Sequence, residues 1–405
     1  ASIILLMKNK EADVLLTYGW VRSTYAALRN LSKHNAKVIV CDTNKYGMCQ
    51  QSRLKEGFEL YADPFSENED KFVSDLIRII EKHRIKVLLP SHDETEIIAK
   101  HREEFPNGVA IPIADYKQLS FANNKLLTAD FAANLGISVP QKYSLSELVN
   151  DGAETRDYVV KLLRSNSAKG VFYAKDKLHA LALVDKLKNE FELSSERLPL
   201  IQERVSGEGW GVSCLYWHGE RIAHFTHKRL REKTTTGGTS TLRQAISNPL
   251  LEEMAYTLLD ALHWHGLAMV EFKYDEKSNK GWFIEINPRL WGSIYLAIAS
   301  GVEFPYLTYL CAIGQEAKAK RIAIESPIRQ GTIARWYLGD LIIFAHRMLN
   351  REFAHSLSLL LPGNENSYDD VFTDDLQAFV GEMMFYLERF MKTHSFNPTE
   401  GANIG

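Results

Sequence analysis

The segment Met269-Val-Glu271-Phe-Lys-Tyr, a polar turn around Ser278, and then Trp282-Phe-Ile-Glu285-Ile-Asn287-Pro-Arg289 constrains the chain most. Both arms alternate, with Val270, Phe272, Ile284 and Ile286 as the apolar members, which predicts a hairpin with one buried face. Side chains two apart on a strand share a face, so Glu285 and Asn287 point the same way. A turn near Ser278 sets Glu271 opposite Glu285. Two opposed carboxylates repel unless something positive lies between them. A hard cation, Mg²⁺ or Mn²⁺, resolves the conflict, because such ions take oxygen ligands. Glu271, Glu285 and Asn287 are therefore candidate metal ligands, with Arg289 at the rim as a donor to an anion. Alternation alone is equally that of a solvated hairpin, so the reading needs support from elsewhere.

At 405 residues the chain is long enough for two or three cores. Residues 1–115 alternate short apolar runs with helical stripes, the pattern of a doubly wound parallel α/β sheet. Val14 to Thr17, Val38 to Cys41 and Val87 to Leu89 read as strands. Val21, Tyr25, Leu28 and Leu31 mark one helix; Phe72, Val73, Leu76, Ile77 and Ile80 mark another. Ligands of such sheets sit beyond the carboxyl ends of the strands, here Tyr18 and Gly19, Asp42 and Thr43, and Ser91 to Glu94. The turn Thr17-Tyr18-Gly19-Trp20 is no GxGxxG fingerprint, which argues against a nicotinamide oxidoreductase, and there is no GxxxxGK[ST].

Residues 116–326 read as an antiparallel α+β domain. A helix from Lys125 stops at Gly136, and a second spans about Lys177 to Phe191. Strands run over Tyr158 to Leu162, Leu200 to Val205, Val212 to Tyr216 and Arg221 to Thr226. Asn248 and Pro249 start another helix as cap and first turn. Residues 327–405 read as a helical C-terminal extension, with stripes at Trp336, Leu341, Phe344 and Met348 and at Phe379, Met383, Tyr386 and Phe390. Asp369, Asp370, Asp374 and Asp375 invite a metal reading, but helix-start acids fit better. The tail from Asn397 is expected to fray.

A formal charge of −3 gives no reason to expect nucleic acid as a partner. Cys41, Cys49, Cys214 and Cys311 lack CxxC spacing, so a disulfide framework or zinc site is not expected. No stretch approaches the roughly 18 apolar residues of a membrane span. The run Ser2 to Met7 lacks the flanks of a secretory signal. These features predict a cytoplasmic protein.

The string Phe283-Ile-Glu-Ile-Asn-Pro-Arg-Leu-Trp-Gly292 resembles the metal-binding strand of ATP-grasp enzymes. The likeness extends over about Asn123 to Gly301, and the first domain looks like that superfamily's pre-ATP-grasp domain. Within it the chain is most similar to carboxylate–amine ligases with a carbamoyl-phosphate-synthetase-like core. The resemblance implies ATP and Mg²⁺ as cofactors, a small carboxylate and an amine as substrates, an acyl-phosphate intermediate and, as in many relatives, a homodimer. It implies nucleotide roles for Lys125 and for the strand lysine Lys161. It implies an adenine hinge at Glu203, Arg204 and Val205 and a ribose contact at Glu208. Ser165-Asn-Ser167-Ala-Lys-Gly170-Val171 is similar to the phosphate-covering loop, though with a single glycine.

A basic strand end, His227-Lys-Arg229-Leu-Arg231, precedes the hydroxyl-rich turn Thr234 to Thr241. Related ligases place a similar strand and Gly-Gly-x-Ser-Thr loop beside the phosphates and the acyl substrate. The resemblance implies Arg231 near the phosphates and Arg289 on the acyl phosphate as the catalytic pair. Arg229, His227, Gly238 and Ser240 are candidates for the substrate side. Two rivals, an ATP-grasp kinase and a carboxylase, share the nucleotide residues; a third, a regulatory nucleotide-binding module without turnover, could keep the adenine hinge and lose the metal carboxylates. Arg289 is followed by Leu-Trp-Gly rather than the carboxylases' Gln-Val-Glu-His, and both lysines and all three candidate metal ligands are present. Those features favour the ligase.

Overall fold

The computed structural model describes residues 11–66, 68–150, 156–165, 170–232, 239–353 and 356–394. The expectations for Ser2 to Met7, Ser167, Gly238 and the tail from Asn397 lie outside them.

Four parallel strands form the first sheet: β1 (Val14–Leu16), β2 (Val38–Asp42), β3 (Gly57–Leu60) and β4 (Val87–Leu89), in the order β3-β2-β1-β4. β1, β2 and β4 are wholly buried, as continuous apolar runs covered on both faces require. β3 was not expected. It is an edge strand with half-exposed residues, and Gly-Phe-Glu-Leu carries no apolar run. The strand order reverses at β1, which opens a crevice beyond the carboxyl ends of β1 and β4.

The second sheet is antiparallel: β5 (Lys142–Tyr143), β6 (Tyr158–Lys161), β7 (Val171–Ala174) and β8 (Leu200–Glu203), ordered β5-β8-β6-β7. Helix Lys177–Glu190 closes its core through Ala180, Val184 and Leu187. The third sheet is the largest. It comprises β9 (Glu208–Trp217), β10 (Glu220–Glu232), β11 (Ser240–Ala245), β12 (Gly266–Asp275), β13 (Lys280–Asn287), β14 (Ile333–Arg335) and β15 (Ser367–Tyr368), in the order β13-β12-β9-β10-β11-β14-β15. Val212, Val270, Phe272 and Ile286 on one of its faces join the first domain's Leu15, Leu88 and Ile98 in a single core. No single described helix is long and apolar enough to cross a membrane.

The extension from residue 327 departs from the helical expectation. β14 pairs with β11, and β15 pairs with β14 in parallel. Strands of three and two residues are too short to leave a period in the sequence, while an unpaired edge on β11 has a strong need for a partner. Trp336 precedes the helix Tyr337–Leu349 rather than lying in it. In the last helix, Leu376–Thr393, the buried face is Ala378, Gly381, Glu382, Phe385 and Tyr386; Met383 and Phe390 lie at its exposed margin. That face lies on the first domain. Phe385 stacks on Trp20 with centroids 4.1 Å apart, and a Cβ on Gly381 would come within 2.2 Å of the Gly47 carbonyl oxygen.

The four aspartates serve different partners. Asp370 accepts the backbone N–H groups of Tyr337 and Leu338 at the start of another helix. Asp374 pairs with Arg29. Asp375 accepts from Tyr25, Ser52 and the Arg53 backbone. Asp369 binds two buried arginines, Arg22 of the first domain and Arg243 of β11.

Candidate functional site

The β12–β13 register sets Glu271 opposite Glu285, and the β12–β9 and β10–β9 registers continue that row through Gly211 to His227. Paired residues of antiparallel strands share a face. Glu285, Glu271, Gly211 and His227 therefore form one line across the large sheet. Gly211 has to be small: a Cβ there would lie 2.4 Å from His227 Cε1. Asn287, two residues from Glu285, joins the row by donating from Nδ2 to Glu271 Oε1 at 3.1 Å.

Three cations surround the two carboxylates. Arg229 Nη2 donates to Glu271 Oε1 at 2.5 Å, and Lys125 Nζ lies 3.2 Å from Glu285 Oε2. Lys125 also donates to the Ser165 carbonyl at 2.6 Å and to its hydroxyl at 3.3 Å. Its position is fixed by the helix it opens: the Asn124 side chain caps the start, and the Lys125 N–H bonds the Leu163 carbonyl. Lys161 is the third, buried at the end of β6 opposite Leu200 and Val171.

The electrostatics follow from this crowding. Burial lowers Lys161 to about 8; Glu285 opposes that shift and Lys125 adds to it. Burial raises Glu271, with Arg229 pulling down and Glu285 pushing up. For Glu285 the upward push of burial is outweighed by Lys125 and then Lys161, which leaves its carboxyl below the usual range. Burial, reinforced by Arg229 and Arg243, holds His227 well below the usual imidazole value, so the ring is neutral. Its Nε2 lies 3.3 Å from the Ser293 hydroxyl.

The hinge residues lie where the second sheet passes into the third. The Glu203 carboxylate accepts from the Gln141 backbone at 3.0 Å, and its N–H bonds the Gln141 carbonyl. Arg204 pairs with Asp157 and lies over the Tyr173 ring. Val205 follows, and Glu208 opens β9, exposed and 2.6 Å from Lys228. Gly170 and Val171 enter β7. A Cβ on Gly170 would come within 2.4 Å of the Ser165 hydroxyl oxygen, so the loop's only glycine stands where its two ends meet.

Two placements correct the sequence reading. Arg231 does not join the carboxylate row. It pairs with Asp340 and donates to Thr241 Oγ1 at 3.2 Å. A register shift between Arg229 and Arg231 breaks the alternation that would have kept both on one face. Of the two, Arg229 is the arginine that meets the carboxylate row. The Ser240 hydroxyl is spent within the sheet, on the carbonyls of Arg231 and Leu242.

Arg289 lies at the edge of the cleft between the first domain and the large sheet. Its Nε is 3.3 Å from Asp93 Oδ1, its Nη1 donates to the Leu290 carbonyl, and its Nη2 reaches Asn287 Oδ1 at 3.5 Å. Asp93, Glu96, Asn123, Lys125, Arg164, Ser165, Glu285, Asn287 and Arg289 line this cleft. Sequence reasoning missed Glu96 and Arg164. An acid in a short helix and an arginine in a turn look like surface charges until the chain brings them together.

Two carboxylates, an amide oxygen and flanking cations suit a hard divalent ion bearing phosphate oxygens. Among the described residues no group of three His, Cys, Asp and Glu side chains could hold a metal ion; the set here is two carboxylates with the Asn287 amide beside them.

Residues 195–335 match the family model described as ATP-grasp in the biosynthetic pathway with Ter operon. No curated protein matches the chain. Three solved structures are similar in fold. The biotin carboxylase–β,γ-ATP complex from Campylobacter jejuni aligns with TM-score 0.62 and 11% identity, covering 80% of this chain and 75% of that one. The L-amino acid ligase from Bacillus licheniformis aligns with TM-score 0.55 and 14% identity, covering 76% and 77%. The ADP complex of N5-carboxyaminoimidazole ribonucleotide synthetase aligns with TM-score 0.60 and 14% identity, covering 84% and 86%. The chain has the ATP-grasp fold.

Proposed function

We propose that this chain is an ATP-dependent carboxylate–amine ligase that forms an amide through an acyl phosphate, converting ATP to ADP and phosphate. The observation that carries the reading is the row of Glu285, Glu271 and Asn287, flanked by Lys125, Lys161 and Arg229 and opening toward Arg289. The solved structures similar in fold include, by name, a biotin carboxylase–β,γ-ATP complex and an L-amino acid ligase.

In this reading ATP lies between the second and third sheets, with its adenine at Glu203 to Val205 and its ribose at Glu208. Glu271, Glu285 and Asn287 would hold Mg²⁺, which would supply charge neutralisation for the phosphates. Lys125 and Lys161 hold phosphate oxygens, with Ser165, Gly170 and Val171 at the mouth of the covering loop. Arg229 spreads the remaining charge in the role first assigned to Arg231. A substrate carboxylate attacks the γ-phosphate in line, a step that needs positioning and charge stabilisation more than covalent chemistry by the protein. Arg289 then steadies the acyl phosphate while the amine attacks. His227, beside Ser293, stays neutral and lines the acyl side.

Lys161 gives the reading a pH signature. With a value near 8 in the free protein, it is charged below that pH and increasingly neutral above it. A phosphate partner favours the charged form, so nucleotide binding takes up a proton when it occurs above about pH 8. Calorimetric ATP affinity is expected to fall between pH 7.5 and 9.5, at most about tenfold per unit, and to stay flatter in Lys161→Arg. Equal slopes for the two proteins would remove Lys161 from the phosphates.

The reading is tested by supplying Mg·ATP, a pool of carboxylic acids including the amino acids, and hydroxylamine as a trap for acyl phosphate. Hydroxamate formed together with ADP supports the ligase. ADP with no hydroxamate points to a kinase or carboxylase, and tight ATP binding without ADP to a regulatory module.

A further inference from the structure

The face of the large sheet that carries the two carboxylates continues past His227. Paired residues of antiparallel strands share a face, and Arg229 of β10 stands opposite Arg243 of β11. Arg243 therefore lies on the face of Glu271, Gly211 and His227, one strand beyond Arg229. The two arginines are used differently. Arg229 is spent on Glu271 and Glu232. Arg243 is fully buried, and its Nη2 donates to Asp369 Oδ1 at 2.6 Å. Its Nε and Nη1 have no acceptor. Those two atoms carry most of the guanidinium N–H groups, and buried donors left without an acceptor are costly.

A second cation comes from the first domain. Arg22, at the start of helix Arg22–Lys33, shares Asp369 with Arg243 and lies over the Trp336 ring at 4.0 Å. A Cβ on Gly292 would stand 3.4 Å from Arg22 Nη2, so the turn after β13 passes beside it. The next residue, Ser293, reaches His227 Nε2 at 3.3 Å, and the other ring nitrogen, Nδ1, is buried without a partner. Burial, then Arg229 and Arg243, hold that ring neutral. These contacts close a ring: Arg22 to Asp369, Asp369 to Arg243, Arg243 beside His227, His227 to Ser293, and Gly292 back to Arg22. Asp369 already serves both arginines, and both oxygens of Asp370 accept backbone N–H groups. Gly292 and Ser293 are the partly exposed members of the ring.

We propose that Arg243, with Arg22 beside it, receives a second carboxylate of the acid substrate, so that the acid is a short dicarboxylate. The inference rests on the ligase reading above and names its class of acid. A carboxylate supplies acceptors for the N–H groups that Arg243 leaves unmet, and guanidinium is the cation whose planar donors suit it. The neutral His227 and the Ser293 hydroxyl add hydrogen bonding without competing charge. Neighbouring strands lie about 4.8 Å apart, so Arg243 stands one such step from the arginine that meets the metal carboxylates. That step is about the reach of a short diacid. Its near carboxylate attacks the γ-phosphate as described above, while its far carboxylate stays on Arg243 and fixes the direction of approach.

The test measures hydroxamate formation by the full chain with Mg·ATP and hydroxylamine. Succinate, glutarate, aspartate and glutamate are each compared with the monoamide that keeps the length and one carboxylate: succinamate, glutaramate, asparagine and glutamine. In at least one pair the unaltered protein is expected to prefer the diacid by about ten- to a hundredfold in kcat/KM, the scale of one charge-assisted hydrogen bond, through KM rather than kcat. Arg243→Lys keeps a charge beside Asp369 but loses the planar fork, and is expected to remove most of that preference. Gly292→Asp sets one of the chain's own carboxylates beside Arg22 and leaves the Asp369 pairs intact. It is expected to act in the same direction, and it carries the test where Arg243→Lys does not fold. A purely structural Arg243 would lower diacid and monoamide alike, and a preference that persists in either folded variant overturns the proposal. Equal kcat/KM within every pair overturns it too, as does hydroxamate from other acids but from none of the four diacids. Absence of hydroxamate with every acid would instead remove the ligase reading beneath it.

Discussion

Glu285→Gln is expected to abolish ATP turnover while sparing nucleotide binding. The side chain keeps its shape but loses a charge that, in the proposed mechanism, would hold Mg²⁺. Glu285 is also the carboxylate that Lys125 and Lys161 favour in its ionised form, so its amide leaves those lysines facing one charge fewer. Loss of one preorganised charge-stabilising group lowers kcat on the order of a hundred- to a thousandfold. ADP release in the presence of the acid pool would fall by that factor, with ATP affinity measured by calorimetry changing far less. Turnover within about threefold of the unaltered protein would take Glu285 out of the metal site. The scale again follows the loss of one such group.

Asp369→Ala is expected to give the largest loss of stability. Asp369 is 1% exposed and bonds Arg22 at 2.5 Å and Arg243 at 2.6 Å, themselves 6% and 0% exposed. Removing it strands two buried guanidinium groups, and breaking a buried pair in this way costs about 3–5 kcal/mol. The effect reaches beyond the residue, because Arg22 belongs to the first domain, Arg243 to the large sheet and Asp369 to the extension. Asp374→Ala is the control five residues away. Asp374 is 48% exposed and its partner Arg29 is 19% exposed, so its loss should cost under about 1 kcal/mol. Denaturant unfolding of both variants checks the contrast; equal losses would show that burial of the Asp369 pairs contributes nothing particular.

These two results separate what a local pattern can reveal from what it cannot. The shared face of Glu285 and Asn287 is local and was legible before any fold was known, but the pairing that runs from the turn would set Glu271 opposite Ile284, and a register shift between Glu271 and Phe272 is what brings Glu271 opposite Glu285. The alternating strands and helices of the first domain were legible for the same reason, since a buried parallel sheet needs continuous apolar runs. Lys161 was reached only through the resemblance, as a strand lysine with an implied nucleotide role.

Other features depend on geometry that no period records. A register shift in β10 decides that Arg229, not Arg231, meets Glu271. β3, β14 and β15 are too short or too exposed to leave a pattern. Asp93 and Arg289 are 196 residues apart by their numbers, Glu96 and Arg164 are 68 apart, and Asp369 reaches back to Arg22. Sequence determined which chemistry the hairpin can support, because strand spacing fixes side-chain direction over a few residues. Tertiary structure alone decided which charges stand opposite it, because ion pairs between distant segments are set by how the sheets pack.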